Sequence, residues 1–135
     1  MSITKNDYGK FVEQYGKRNG RSGYDYVIHL TFKHGYRKSV IARSKLREWY
    51  LNVSKKTYID GIVSFDKDEK GCVHIHGVVI CSLDINQFQM LMVKNWSQYG
   101  GFKFDVYRES GGIDYYISKI VNDEIIEYDM LVNLN

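Results

Sequence analysis

Apolar positions recur along the chain with two different periods, and each change of period marks an element boundary. Tyr8, Phe11, Val12 and Tyr15 follow helical spacing, which predicts a short helix or ordered arm within residues 1–22, running into the Gly- and Arg-containing stretch Gly16 to Gly23. Tyr24 to Phe32 alternates and is rich in aromatic and β-branched residues, the signature of a first strand ending at a His34-Gly35 turn. Ser39 is placed to cap a helix whose stripe is Ala42, Leu46, Trp49, Tyr50 and Val53, ending near Lys56. Tyr58 to Asp66 and Cys72 to Cys81 form two strand-like runs around the charged segment Lys67 to Gly71, a hairpin pattern. Asp84 with Gln87 makes a capping box ahead of Ile85, Phe88, Leu91, Met92 and Trp96, closed by Gly100-Gly101. A short strand, Phe102 to Tyr107, and a last helix, Ile113 to about Ile125, complete the order. An α+β fold is expected, an antiparallel β-sheet with helices packed on one face, ferredoxin-like in character.

Composition narrows the class. The 135 residues, 44% hydrophobic and 26% charged, suit one domain over 1–135 with one core. No apolar run reaches the length of a membrane span, and Met1 to Asp7 lacks the apolar stretch of a signal peptide, so an intracellular, cytoplasmic protein with no membrane partner is expected. Cys72 and Cys81 fall at opposite parity on one strand and cannot readily bridge, which fits reduced thiols. The formal charge of +3 permits a polyanion partner without requiring one. Its distribution says more: Arg18, Arg21, Lys33, Arg37 and Lys38 lie among tyrosines in the first third, whereas the segment after Lys119 is acidic. Cations that track phosphates beside aromatic rings that stack on bases suit a single-stranded nucleic acid, with Tyr24, Tyr26 or Tyr36 as platforms. The bland alternative is a solvated basic face.

Two short patterns carry chemistry. In the strand Cys72 to Cys81, His74-Ile75-His76 points both imidazoles to one side of the sheet, which makes half a metal site; a strand with a polar solvent face gives the same pattern. In the last predicted helix, Ile113, Ile117, Ile120 and Val121 define the buried stripe. Tyr116 then falls roughly 85° from its centre and Lys119 about 60° further on the same side, so both stand at the helix–sheet edge while Tyr115 faces away. Taken alone, that pair reads better as a rim tyrosine beside a solvated lysine.

Together, the strand Ile28 to Phe32, the His74-Ile75-His76 triplet and Tyr116-Ile117-Ser118-Lys119 occur in the order of the three motifs of the HUH endonucleases. The chain resembles the small rolling-circle replication initiators (Rep proteins) of that superfamily, and in its Trp96 to Gly101 stretch those of archaeal rod-shaped viruses. The resemblance covers roughly Tyr24 to Val121 and extends to no helicase domain, so unwinding would come from host or viral replication proteins. It implies a site-specific single-stranded DNA nicking and joining enzyme acting at a replication origin through a 5′-phosphotyrosine bond. In that scheme Tyr116 is the nucleophile, Lys119 positions the phosphate or the tyrosine oxygen, and His74 and His76 hold Mn²⁺ or Mg²⁺, with Zn²⁺ or Ni²⁺ as competitors in vitro. An acidic third ligand is implied, Asp66 or next Glu69. The chemistry agrees: a tyrosine of pKa about 10 is ionised about one part in a thousand at pH 7, a cost of roughly 4 kcal/mol that a cation beside the phosphate offsets in part.

Several readings stay open at this level. Cys72 shares the histidine face and suits either a zinc site or core packing, and His29 sits on a neighbouring strand near the site or DNA. Asp68 and Glu69 read as turn residues, His34 as a loop residue and Tyr128 as packing or exposed in an acidic tail. One well-placed tyrosine per chain motivates a homodimer for successive cleavage and rejoining. A single-tyrosine transposase is the nearest alternative enzyme, and a non-catalytic single-stranded nucleic-acid-binding module the alternative of another class.

Overall fold

A computed structural model describes Met1–Val132; the last three positions of the expected 1–135 domain lie outside the described residues. The chain runs β1 (Ser2–Thr4), α1 (Lys5–Lys17), β2 (Tyr26–Thr31), α2 (Ser39–Ser54), β3 (Ile59–Lys67), β4 (Val73–Cys81), α3 (Ile85–Trp96), β5 (Phe102–Val106), α4 (Gly112–Tyr115) and β6 (Ile125–Leu131). The fold is α+β, with one six-stranded sheet in the order β1-β6-β3-β4-β2-β5 and every neighbouring pair antiparallel. Among the described residues no helix is long and apolar enough to cross a membrane.

Strand alternation splits the interior into two layers. Odd positions of β4 (Val73, Ile75, Val79) meet α2 and α3 through Leu46, Trp49, Phe88, Met92 and Trp96. Even positions (Val78, Ile80) join Ile62, Val27 and Ile126 beneath Tyr8 and Val12 of α1 and Tyr116. Helices therefore cover both faces, not one as expected, because the N-terminal amphipathic segment packs opposite α2 and α3. The hairpin is in close register at Gly61, where a Cβ would lie 2.1 Å from the Val78 carbonyl oxygen. The Asp84–Gln87 capping box forms as the sequence predicts. Ser39 instead opens α2 as its first residue, behind Lys38, and makes no side-chain cap.

The C-terminal segment differs most from expectation. Gly111 (φ 104) and Gly112 (φ 64) adopt left-handed backbone that launches α4, a conformation side chains with a Cβ rarely take. After one turn the helix widens into a π-helical turn over Tyr116–Ile120, closed by the Val121 N–H to Tyr116 C=O bond of 3.0 Å. Ile125 then begins β6 rather than ending a helix. Strand β6 buries Ile126 and half-buries Tyr128 and Met130 while Glu127 points outward, so the acidic tail of the sequence is an inner strand of the sheet.

Candidate functional site

Register gathers the polar residues of the second face. Lys103 of β5 lies opposite His29 of β2, His29 opposite His76 of β4, His76 opposite Ser64 of β3, and Ser64 opposite Tyr128 of β6. The next rung on the same face is Thr31, His74 and Asp66. The His29 and His76 rings stack with centroids 4.3 Å apart, and His29 and His74 lie 5.7 Å apart. The expected ligands His74, His76 and Asp66 thus share one face at one end of the sheet, joined by His29.

Their carboxylate neighbours divide them. His76 Nε2 is 3.2 Å from Asp66 Oδ2, whereas His74 Nε2 is 3.6 Å from Asp68 Oδ2. Asp68 also holds the hairpin loop, its other oxygen accepting from the Lys70 and Cys72 N–H groups at 2.9 Å; these bonds, Cys72's foremost, keep its carboxyl below the usual carboxylate range. Burial works against ionisation of Asp66, but the bond from His76 outweighs it and its carboxyl is also lowered. Asp123, just before β6, hydrogen-bonds Asp66, and partial burial followed by that bond raises its own carboxyl. Glu69 is exposed in the loop, so geometry favours Asp66 over Glu69 as the carboxylate at the histidines.

Two nitrogens on this face, His29 Nε2 and His76 Nδ1, are buried without a hydrogen-bond partner, an arrangement costing about 1–3 kcal/mol per group. Burial first, then the neighbouring imidazoles, push His29 down to about 4, which keeps it neutral with a free lone pair. Among the described residues no three His, Cys, Asp or Glu side chains converge as a ready-made metal cage; His74 faces Asp68 rather than Asp66. In residue type and shared face the set has the chemistry of divalent-cation donors, although as placed it does not close around an ion. Side-chain rotation about His74 is needed to close it.

Tyr116 is brought to this cluster from the C-terminal turn that packs on the same face of the sheet. Its hydroxyl donates to the His76 carbonyl oxygen at 2.9 Å, and lies 2.9 Å from the Tyr8 hydroxyl and 3.3 Å from Ser64 Oγ. The side chain is 0% exposed, and burial pushes the phenol up to about 12 against the opposing hydrogen bonds from Ser64 and Tyr8. Lys119 follows in the π-helical turn, whose residues advance by less than in an α-helix, and is exposed while Tyr116 is fully buried.

The expected phosphate-tracking cations fall at two ends of the sheet. Arg18 bonds buried Asp60 at 2.6 Å and the Tyr15 carbonyl at 2.7 Å, and stacks on the Tyr15 ring; this is a structural ion pair, not a free cation, because burying Asp60 demands a partner. Arg21 lines a cavity of about 510 Å³ with Tyr58 and Cys81 at the end away from the histidines. Arg37 lines a second cavity, about 550 Å³, with Thr31, Asp68, Cys72 and His74. Lys33 and Lys38 are exposed on the same turn region as Arg37. Cys72 and Cys81 are free thiols, Cys72 half-buried.

Ser64, Asp68, Asp123, Tyr8 and Lys103 were not singled out from sequence for this site. Ser64 follows from the hairpin register alone, since it faces His76. Asp68 belongs to the loop of that same hairpin, whereas Lys103, Asp123 and Tyr8 depend on the pairing of β2 with β5, the approach of β6 to β3 and the packing of α1 on the C-terminal turn, which no local pattern encodes. Comparison with family models, with curated proteins and with solved structures found no match to this chain.

Proposed function

We propose that this chain is a metal-dependent, site-specific single-stranded DNA nicking and joining enzyme of HUH type, its antiparallel sheet a ferredoxin-like catalytic domain that initiates rolling-circle-type replication. The observation that carries the reading is the 2.9 Å bond from the Tyr116 hydroxyl to the backbone of His76: a tyrosine is held on the strand that bears the His-x-His pair. His76, His74 and Asp66 would hold Mn²⁺ or Mg²⁺, with His29 as a further donor. A bound cation supplies Lewis-acid polarisation of a scissile phosphate. Tyr116 Oη attacks phosphorus; the O3′–P bond breaks, the 3′-oxygen leaves as a hydroxyl after taking up a proton, and the tyrosine proton passes to solvent. One phosphoester replaces another, so rejoining is the same step reversed. Arg37, Lys33 and Lys38, at the histidine end, are the cations placed to meet the strand's phosphates; Lys103 adds a fourth across from His29.

Full burial of Tyr116 favours a second reading, a single-stranded nucleic-acid-binding module whose histidines are sheet-face residues. Incubation with single-stranded oligonucleotides and Mn²⁺, followed by denaturing electrophoresis, separates them. Nicking predicts a protein–DNA adduct lost with chelator; a binding module predicts salt-sensitive, chelator-insensitive binding with no adduct.

A further inference from the structure

We infer that Tyr8 is a positioning residue that keeps Tyr116 stowed against the sheet, and that helix α1, which carries Tyr8, must tilt away before Tyr116 can meet a substrate. The hydroxyl pair lies 2.9 Å apart with both rings 0% exposed. Because Tyr116 spends its only proton on the His76 carbonyl, Tyr8 is the donor to the Tyr116 oxygen. The nucleophile's lone pair therefore faces a hydroxyl of α1, and no phosphate fits between them.

The two ends of α1 are held very differently. At the C-terminal end Arg18 is tied to Asp60, the Tyr24 hydroxyl donates to the Val12 carbonyl at 2.5 Å, and a Cβ on Gly16 would lie 2.5 Å from the Tyr24 ring. The N-terminal end is tied to the sheet by β1, three residues at its edge, and by the Lys5 N–H to Glu124 C=O bond of 2.8 Å, with Tyr8 and Phe11 packed on the Tyr128 ring. A surface cleft of about 440 Å³ lined by Lys5, Gly9, Lys10, Ile113 and Ile117 runs along this seam, and at its floor a Cβ on Gly9 would lie 3.5 Å from the Ile117 side chain. Eight residues from Gly16 to Tyr8 make a lever of roughly 12 Å, so a tilt of about 20° lifts Tyr8 by about 4 Å, enough to break the hydroxyl contact. Removing β1 and the front of α1 from the seam leaves the other five strands paired.

The inference takes its functional consequence from the reading of Tyr116 as nucleophile, but its test needs no DNA. Full-length protein is nitrated with tetranitromethane and modification is mapped by peptide mass spectrometry. Tyr50, buried in the other layer, is the internal control. In Tyr8→Phe, which keeps the ring, Tyr116 nitration is expected to rise about fivefold, the shift in opening that one buried hydrogen bond carries, with Tyr50 unchanged. Unchanged Tyr116, or Tyr116 and Tyr50 rising together, overturns the inference. In wild-type protein, amides of residues 5–12 should also exchange faster than those of α2; equal protection contradicts it. If DNA adducts never form while Tyr116 nitration rises, the stowing stands and the nicking reading falls.

Discussion

At the scale of single residues, the functional face depends on side chains whose neighbours are set by register rather than by sequence proximity. His29 is the clearest case. It stacks on His76 with a buried, unpartnered Nε2, so under the proposed metal-dependent reading it would be a further donor beside His76 and Asp66. Replacing His29 with Ala is expected to weaken Mn²⁺ binding about tenfold or more, comparable to losses of supporting groups around metal sites. Titration calorimetry or the electron paramagnetic resonance signal of free Mn²⁺ measures it, and unchanged affinity would remove His29 from the site. The parity of His74 and His76 was legible in the sequence, as was Asp66 beside them, because a hairpin fixes both. The phase of Tyr116 and Lys119 was not legible in the same way, because the segment whose periodicity predicts an α-helix forms a π turn.

At the scale of elements, the helices α1, α2 and α3, the β3–β4 hairpin and the Asp84 cap were all readable, since each rests on local periodicity and turn chemistry. Strands β1 and β6 were not. Ile125–Leu131 carries Glu127 and Asp129 between its apolar positions, and its acidity hides the alternation; β1 is three residues long and exists only because β6 pairs with it. The hairpin also has a tight point to probe. Gly61→Ala would drive a Cβ to 2.1 Å from the Val78 carbonyl oxygen, and a loss of about 2–3 kcal/mol in urea unfolding is expected from the forced backbone shift. Gly35→Ala, which has nothing within 4 Å, should stay within about 0.5 kcal/mol. Equal effects at the two positions would show that the β3–β4 register is not as described.

For the whole molecule, the twelve tyrosines tie stability to alkaline pH. Burial first of all raises Tyr50, Tyr107 and Tyr116 to about 12, and raises Tyr8 and Tyr24 further. Between pH 10 and 12 the unfolded chain has released these protons while the folded chain retains them. The unfolded state then binds fewer protons, so stability falls as pH rises through that window and is fully present below it. Urea midpoints should be level from pH 8 to 9 and drop steeply by pH 11, with the phenolate absorbance of these five buried tyrosines appearing only on unfolding; a midpoint that holds at pH 11 would contradict the burial of this set.

On the face of the sheet that bears the histidine pair, a buried tyrosine from the C-terminal turn touches their strand. Nicking chemistry at that point leaves a nucleotide on one identifiable side chain. After reaction with a single-stranded oligonucleotide and Mn²⁺, nuclease and trypsin digestion should yield the peptide Glu109–Lys119 carrying a phosphonucleotide. Fragmentation should place it on Tyr116, and Tyr116→Phe should give none. A modification on Tyr115, or the same yield from Tyr116→Phe, would contradict the account.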